Sequence, residues 1–263
     1  MSNSEMSVTA TLVDGVLHLP IATAAAGTSM DFTLIAQATA ALHGHGAEVG
    51  AVLLTGTGAN FCAGGNVLDF AAADDRGAYL HEKATALHAF VDALTTSPVP
   101  VVAAVQGWAA GAGMSLVCAS DIAIGGPSTR MRPAYPGIGL SPDGGITWSL
   151  PRIVGARRAR EILLSDTVVD AEEAARLGLL SRIVRDTDVQ TEALRVARGF
   201  VEGPRATYTT IRQLLTQSPD ATLTQQLDAE RDGIARAANS ATGRVGVDAF
   251  VAKKRPDFTG VGQ

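Results

Sequence analysis

Apolar and polar positions alternate across SVTATLVDGVLHLP at residues 7–20, and the alternation breaks at Asp14-Gly15. Alternation on both sides of an Asp-Gly pair predicts a β-hairpin. A helical pattern covers about 31–45, and the apolar run Val49–Leu54 (VGAVLL) predicts a strand. From Gly77 to Thr95, the residues Leu80, Ala84, Leu87, Val91 and Leu94 recur at alternating four- and three-residue steps. That spacing is one face of a long amphipathic helix, which Pro98 and Pro100 end. Val101–Val105 is an unbroken apolar run, suited to a strand buried on both faces. A helix is expected from about Ala112, a strand at Ile122–Ile124, and a helix capped by Asp170 at DAEEAARLG. Further helices are expected over 187–201, 207–217, 222–238 and 242–251. The pattern predicts an α/β protein, with a core over residues 1–200 and an all-helical piece over 201–263.

Composition narrows the function. The 263 residues are 46% hydrophobic and 18% charged, as in a globular protein. The 21 basic and 26 acidic residues give a net charge of −5, and the lysines are Lys83, Lys253 and Lys254. A broad nucleic-acid surface is therefore not expected. No apolar run reaches the ~18 residues a membrane helix needs. The N-terminal stretch lacks the basic and apolar regions of a secretory signal, so a cytoplasmic protein is expected. Cys62 and Cys118 are too few for a disulfide framework or a zinc site. Phosphate-loop, nucleophile-elbow and dinucleotide fingerprints are missing.

Two small-residue turns remain, Phe61-Cys62-Ala63-Gly64-Gly65-Asn66 and Gly107-Trp108-Ala109-Ala110-Gly111-Ala112-Gly113, each following an apolar strand. Small side chains let a ligand approach backbone N–H groups closely. Two such turns converging on one point would form an oxyanion hole; alternatively, their glycines serve only tight turns and close packing.

The blocks FCAGGN, PVVAAVQGWAAGAGMSL, SDIAI, YPGIGLSPDGGITWSLPRIVGARRA, AEEAARLGLLSRIV and AFVAKKRPDFTG together resemble the enoyl-CoA hydratase/isomerase (crotonase) superfamily. The resemblance implies a crotonase-like spiral of ββα units with a C-terminal helical trimerisation region, as a homotrimer or dimer of trimers. It implies an acyl-CoA thioester substrate and no separate cofactor, since coenzyme A is part of the substrate. The oxyanion-hole N–H groups would be those of Gly65 and Ala112.

Hydratases of the superfamily place water with two glutamates, and the matching positions here hold Ser115 and Tyr135. Asp143, in SPDGG, matches the acidic residue of an isomerase subset that includes epoxide-to-oxepin and enoyl-CoA isomerases. The resemblance thus favours an isomerase with Asp143 as acid and base. A hydratase or hydrolase in which Asp143 activates water, and a non-catalytic acyl-CoA binder, are the alternatives. Asp143 is also placed to cap the helix starting at GGITW. His88 matches a histidine that dehalogenases of the superfamily use beside their aspartate, although the aromatic-ring-binding positions differ. Cys62, Ala63, Trp108 and Tyr135 are expected along the acyl pocket. Lys253 and Lys254 match a closing segment that reaches the CoA 3′-phosphate, often across a subunit boundary.

Overall fold

The computed structural model describes residues 9–26 and 28–261. The hairpin forms from β1 (Thr11–Val13) and β2 (Val16–Ala22) around Asp14 and Gly15, both at positive φ. Residues 7 and 8 of the expected first strand lie outside the described residues. Helix α1 (Phe32–Gly44) starts where the Asp31 carboxylate accepts the Thr33 and Leu34 N–H groups. Strand β3 (Ala51–Gly56) begins two residues later than the apolar run, because its parallel pairing starts at Ala51 opposite Val16. Then come α2 (Val67–Ala72), α3 (Arg76–Thr96), β4 (Val101–Val105), β5 (Trp108–Ala110) and α4 (Ala112–Cys118). Strands β6 (Ile122–Gly125) and β7 (Arg130–Arg132) lead to α5 (Ile146–Val154) and α6 (Ala156–Leu164). After β8 (Val169–Asp170), α7 (Ala171–Arg176) and β9 (Arg182–Ile183), the chain closes with four helices. These are α8 (Val189–Val201), α9 (Arg205–Gln217), α10 (Leu223–Asn239) and α11 (Ala241–Val251).

A larger sheet runs β1-β2-β3-β4-β6-β9, parallel from β2 onward, and a smaller sheet runs β5-β7-β8. Strands β4 and β6 lie in the larger sheet, and each is followed at once by a strand of the smaller sheet and then a helix. This is a spiral of ββα units. Strand β3 enters the same pattern through a single bridge, Cys62 to Ala109.

The pleat explains the unbroken apolar runs. Val52, Leu54, Val101, Ala103 and Val105 enter the main core, while Ala51, Leu53, Val102 and Ala104 pack with Val189, Ala193 and Ala197 of α8. Strands β7, β8 and β9 and helix α6 escape the sequence reading. The strands are two or three residues long, and β7 and β9 carry arginine. Beyond α8 burial thins. Leu215, Leu223, Ile234 and Phe250 of α9–α11 are exposed, Phe250 at 84%. Among the described residues no helix is long and apolar enough to cross a membrane.

Candidate active site

The two small-residue turns lock together through the backbone. Phe61 N–H donates to the Gln106 carbonyl (2.7 Å), Cys62 N–H to Trp108 (3.0 Å), and Ala110 N–H to Cys62 (2.9 Å). Gly64 has φ +92°, and a Cβ there would stand 3.1 Å from the Ala110 carbonyl oxygen, so only glycine suits the close approach. Among the described residues, the Gly65 N–H donates to no backbone carbonyl. Ala112 opens α4, so its N–H is one that a helix leaves without an internal partner. It is not among the residues at positive φ, so alanine serves as well as glycine. Ala63, Gly64, Gly65, Gly111 and Ala112 all line one cavity of about 420 Å³.

Asp143 lines the same cavity, and three elements hold it. The Tyr135 hydroxyl donates to its Oδ1 at 2.7 Å. Ser115 Oγ, on α4, donates to its backbone carbonyl at 3.1 Å and lies 3.4 Å from the Tyr135 hydroxyl. His88 Nε2, on α3, accepts the N–H of the next residue, Gly144, at 3.1 Å. Burial, reinforced by the Asp143 carboxylate beside it, pushes the Tyr135 pKa well up, so Tyr135 stays a neutral donor. Tyr135 is itself fixed from below. The Asp166 carboxylate accepts the Ala134 N–H at 2.7 Å and pairs with Arg132 at 2.5 Å. Ala134 has φ +62°, an uncommon conformation for alanine that this carboxylate pins in place.

The cap reading of Asp143 does not hold. Helix α5 has Gly145 at its N-cap and no side-chain cap, and the Asp143 carboxylate accepts from Tyr135 instead. Ser115 sits in the first part of α4 but does not line the cavity; it is fully buried behind Asp143. The stripe on α3 also divides. Leu94 enters the core with Phe90 and Ala93, Leu87 is buried in the core and also borders the cavity, and Leu80 and Ala84 face the cavity beside His81, Lys83 and His88.

The remaining expected residues are dispersed. Ala63 and Tyr135 line the cavity; Cys62 and Trp108 do not. Cys62 is wholly buried, which pushes its thiol pKa up to about 12 and leaves it an inert filler. Trp108 is 38% exposed, because β5 presents Ala109 inward and Trp108 outward. Lys253 and Lys254 follow α11, both exposed, and neither lines the cavity within one chain. Sequence reading missed Asp166, Ala134 and the acceptor role of His88. The hydrogen bonds to Asp166 span 34 and 32 residues, and the Gly144 bond to His88 spans 56. A second cavity, of about 620 Å³, adjoins the first, and His88 lines both.

The family model described as enoyl-CoA hydratase/isomerase matches residues 14–261. The chain belongs to the enoyl-CoA hydratase/isomerase family. It is 38% identical over 225 residues to a probable enoyl-CoA hydratase of Rhodobacter capsulatus, covering 85% of this chain and 86% of that one. It is also 38% identical over 214 residues to the 1,2-epoxyphenylacetyl-CoA isomerase of Escherichia coli, covering 80% of each. The crystal structure of an enoyl-CoA hydratase from Polaromonas sp. JS666 superposes with a TM-score of 0.88 at 32% identity, over 94% of this chain and 98% of that one. The ββα spiral is thus the crotonase fold, and the chain is an enzyme of this family.

Proposed function

We propose that this enoyl-CoA hydratase/isomerase family member is an acyl-CoA isomerase, with Asp143 moving a proton between two carbons of the acyl group. One observation carries the reading: among the described residues, Asp143 is the one carboxylate lining the cavity onto which the two turns open. Its Oδ1 is occupied by the Tyr135 hydroxyl, which leaves Oδ2 to work as the base. Oδ2 takes a proton from an acyl carbon, and the electron pair of that C–H bond passes to the thioester oxygen. The Gly65 and Ala112 N–H groups stabilise that enolate oxygen. The enolate pair then flows back along the chain and the same proton returns from Oδ2 to a different carbon, which shifts a double bond. Where an epoxide adjoins, the pair instead breaks a ring C–O bond and Oδ2 gives the proton to the freed oxygen. No atom is gained or lost. Ser115 and Tyr135, where the resemblance places the glutamates of a hydratase, instead hold Asp143 and leave no second carboxylate to place water.

The test is turnover of unsaturated and epoxide-bearing CoA thioesters in ¹⁸O-labelled water, followed by mass spectrometry. The expected product has the mass of its substrate and no label. Uptake of ¹⁸O would overturn isomerisation in favour of hydration or hydrolysis. Thermal stabilisation by acyl-CoA with no turnover of any ester would make the protein a binder.

The proposal extends to assembly. The exposed apolar residues of α9–α11 would be covered in a homotrimer or a dimer of trimers, and residues 201–263 would form that contact region. A neighbouring subunit would then bring Lys253 and Lys254 to the CoA 3′-phosphate. Removing both charges is expected to raise KM for CoA esters far more than for pantetheine esters. Sedimentation velocity reads the assembly, and a monomer would overturn it.

A further inference from the structure

Asp143 stands just before Gly144 and Gly145, two consecutive glycines with φ of +61° and +76°. Glycine has the widest backbone freedom of any residue, so this pair does not fix the aspartate by its own conformational preference. The Gly144 N–H, however, donates to His88 Nε2 at 3.1 Å. His88 belongs to α3, a helix of 21 residues with Leu87 and Phe90 beside it buried in the core. The glycine pair next to the proton-carrying carboxylate is therefore tied to α3, just as the Ser115 hydroxyl of α4 ties the Asp143 carbonyl. To accept that N–H, Nε2 must be unprotonated, with the ring proton on Nδ1. An Nε2 whose lone pair is already engaged by Gly144 is not free to take a proton from the substrate.

We propose that His88 is a positioning residue: it acts through the Gly144 N–H to hold Asp143 at the working distance from the acyl group, and it moves no proton itself. This rests on Asp143 being the acid and base. The histidine is needed for an acceptor at a fixed distance from the α3 backbone, and glutamine can present its side-chain oxygen at a similar reach. Leucine has similar bulk and no acceptor.

The experiment compares His88→Gln, His88→Leu and Asp143→Asn in the full chain, with kcat and KM for a turned-over CoA ester. Hydrogen exchange over the segment 140–145 is measured on the same samples. The expected result for His88→Leu is a kcat lower by about 10- to 100-fold, with KM within about twofold. Exchange over 140–145 rises in that variant. For His88→Gln, kcat stays within about threefold of the parent and the exchange protection is kept. If the glutamine variant is protected yet as slow as the leucine variant, His88 transfers a proton and the proposal falls. If the leucine variant keeps full kcat, no positioning is needed and it falls too. If the leucine variant does not fold, a protected glutamine variant with kcat within about threefold of the parent supports the proposal, and a protected one slower by about tenfold or more overturns it. Full activity in Asp143→Asn would overturn the acid/base reading instead, whatever the His88 variants do.

Discussion

In one part of the cavity wall stand the backbone N–H groups proposed to hold the enolate oxygen, those of Gly65 and Ala112, carried by two turns that hydrogen-bond to each other. In another part stands the one side chain proposed to move the proton, Asp143, held by Tyr135, Ser115 and His88. The first arrangement needs small residues and tolerates Ala112 in place of glycine, because an N–H does not depend on the side chain attached. The second tolerates little, because each contact is made by a specific polar atom. A backbone site is thus robust to sequence change and sensitive to volume, and a side-chain site is the reverse.

The largest effect that would test this contrast is Asp143→Asn. It keeps the shape and removes the proposed base, so kcat should fall by about 10²- to 10⁴-fold while the affinity for a CoA ester changes little. Steady-state kinetics with calorimetric binding checks the split. The turns should respond to volume instead. A Cβ at Gly113 would overlap the Cys62 carbonyl oxygen and press on its Cβ. Gly113→Ala is expected to cost about 1–3 kcal/mol of stability and to weaken CoA-ester binding, read by thermal unfolding and calorimetry.

Tyr135→Phe removes only the hydroxyl that orients Oδ1. A roughly tenfold loss in kcat, about 1.4 kcal/mol, is expected with KM unchanged. A change in KM alone would instead assign Tyr135 to substrate packing.

The smallest effect concerns Asp166. Burial opposes its charge, but hydrogen bonds from Arg132 and the Ala134 N–H outweigh that and hold its pKa below the ordinary 3.8. A carboxyl with a depressed folded-state pKa adds stability above its unfolded value, and that stability is lost as pH falls through the lower folded value. Asp166→Asn should therefore lower stability at neutral pH by about 1 kcal/mol, a modest figure because the Arg132 side chain is 42% exposed and solvent screens the pair. The difference from the parent should close as the pH falls below 3.8. Denaturant melts at several pH values check both the sign and the window.

Much of the fold was legible along the chain. The hairpin turn, the strand Val101–Val105, the long helix over 77–95 and the C-terminal helices all follow from local periodicity, because pairing and packing impose periods of 2 and 3.6 on the sequence. The small strands β7–β9 were not legible, since two or three residues give no period. The two turns were legible as small-residue runs after apolar strands, and the resemblance singled out Gly65, Ala112 and Asp143.

What the sequence alone determined, then, is the order of the larger elements and the kind of residue at each turn, both fixed by interactions within a few residues. Tertiary structure decided the rest: that Asp143 accepts from Tyr135 and caps no helix, that Trp108 faces outward, and that His88 faces both cavities while holding Gly144. The placements of Asp143 and His88 depend on hydrogen bonds across 8, 28 and 56 residues of chain. Such bonds leave no periodic trace, because their partners meet only after the sheets and helices have packed.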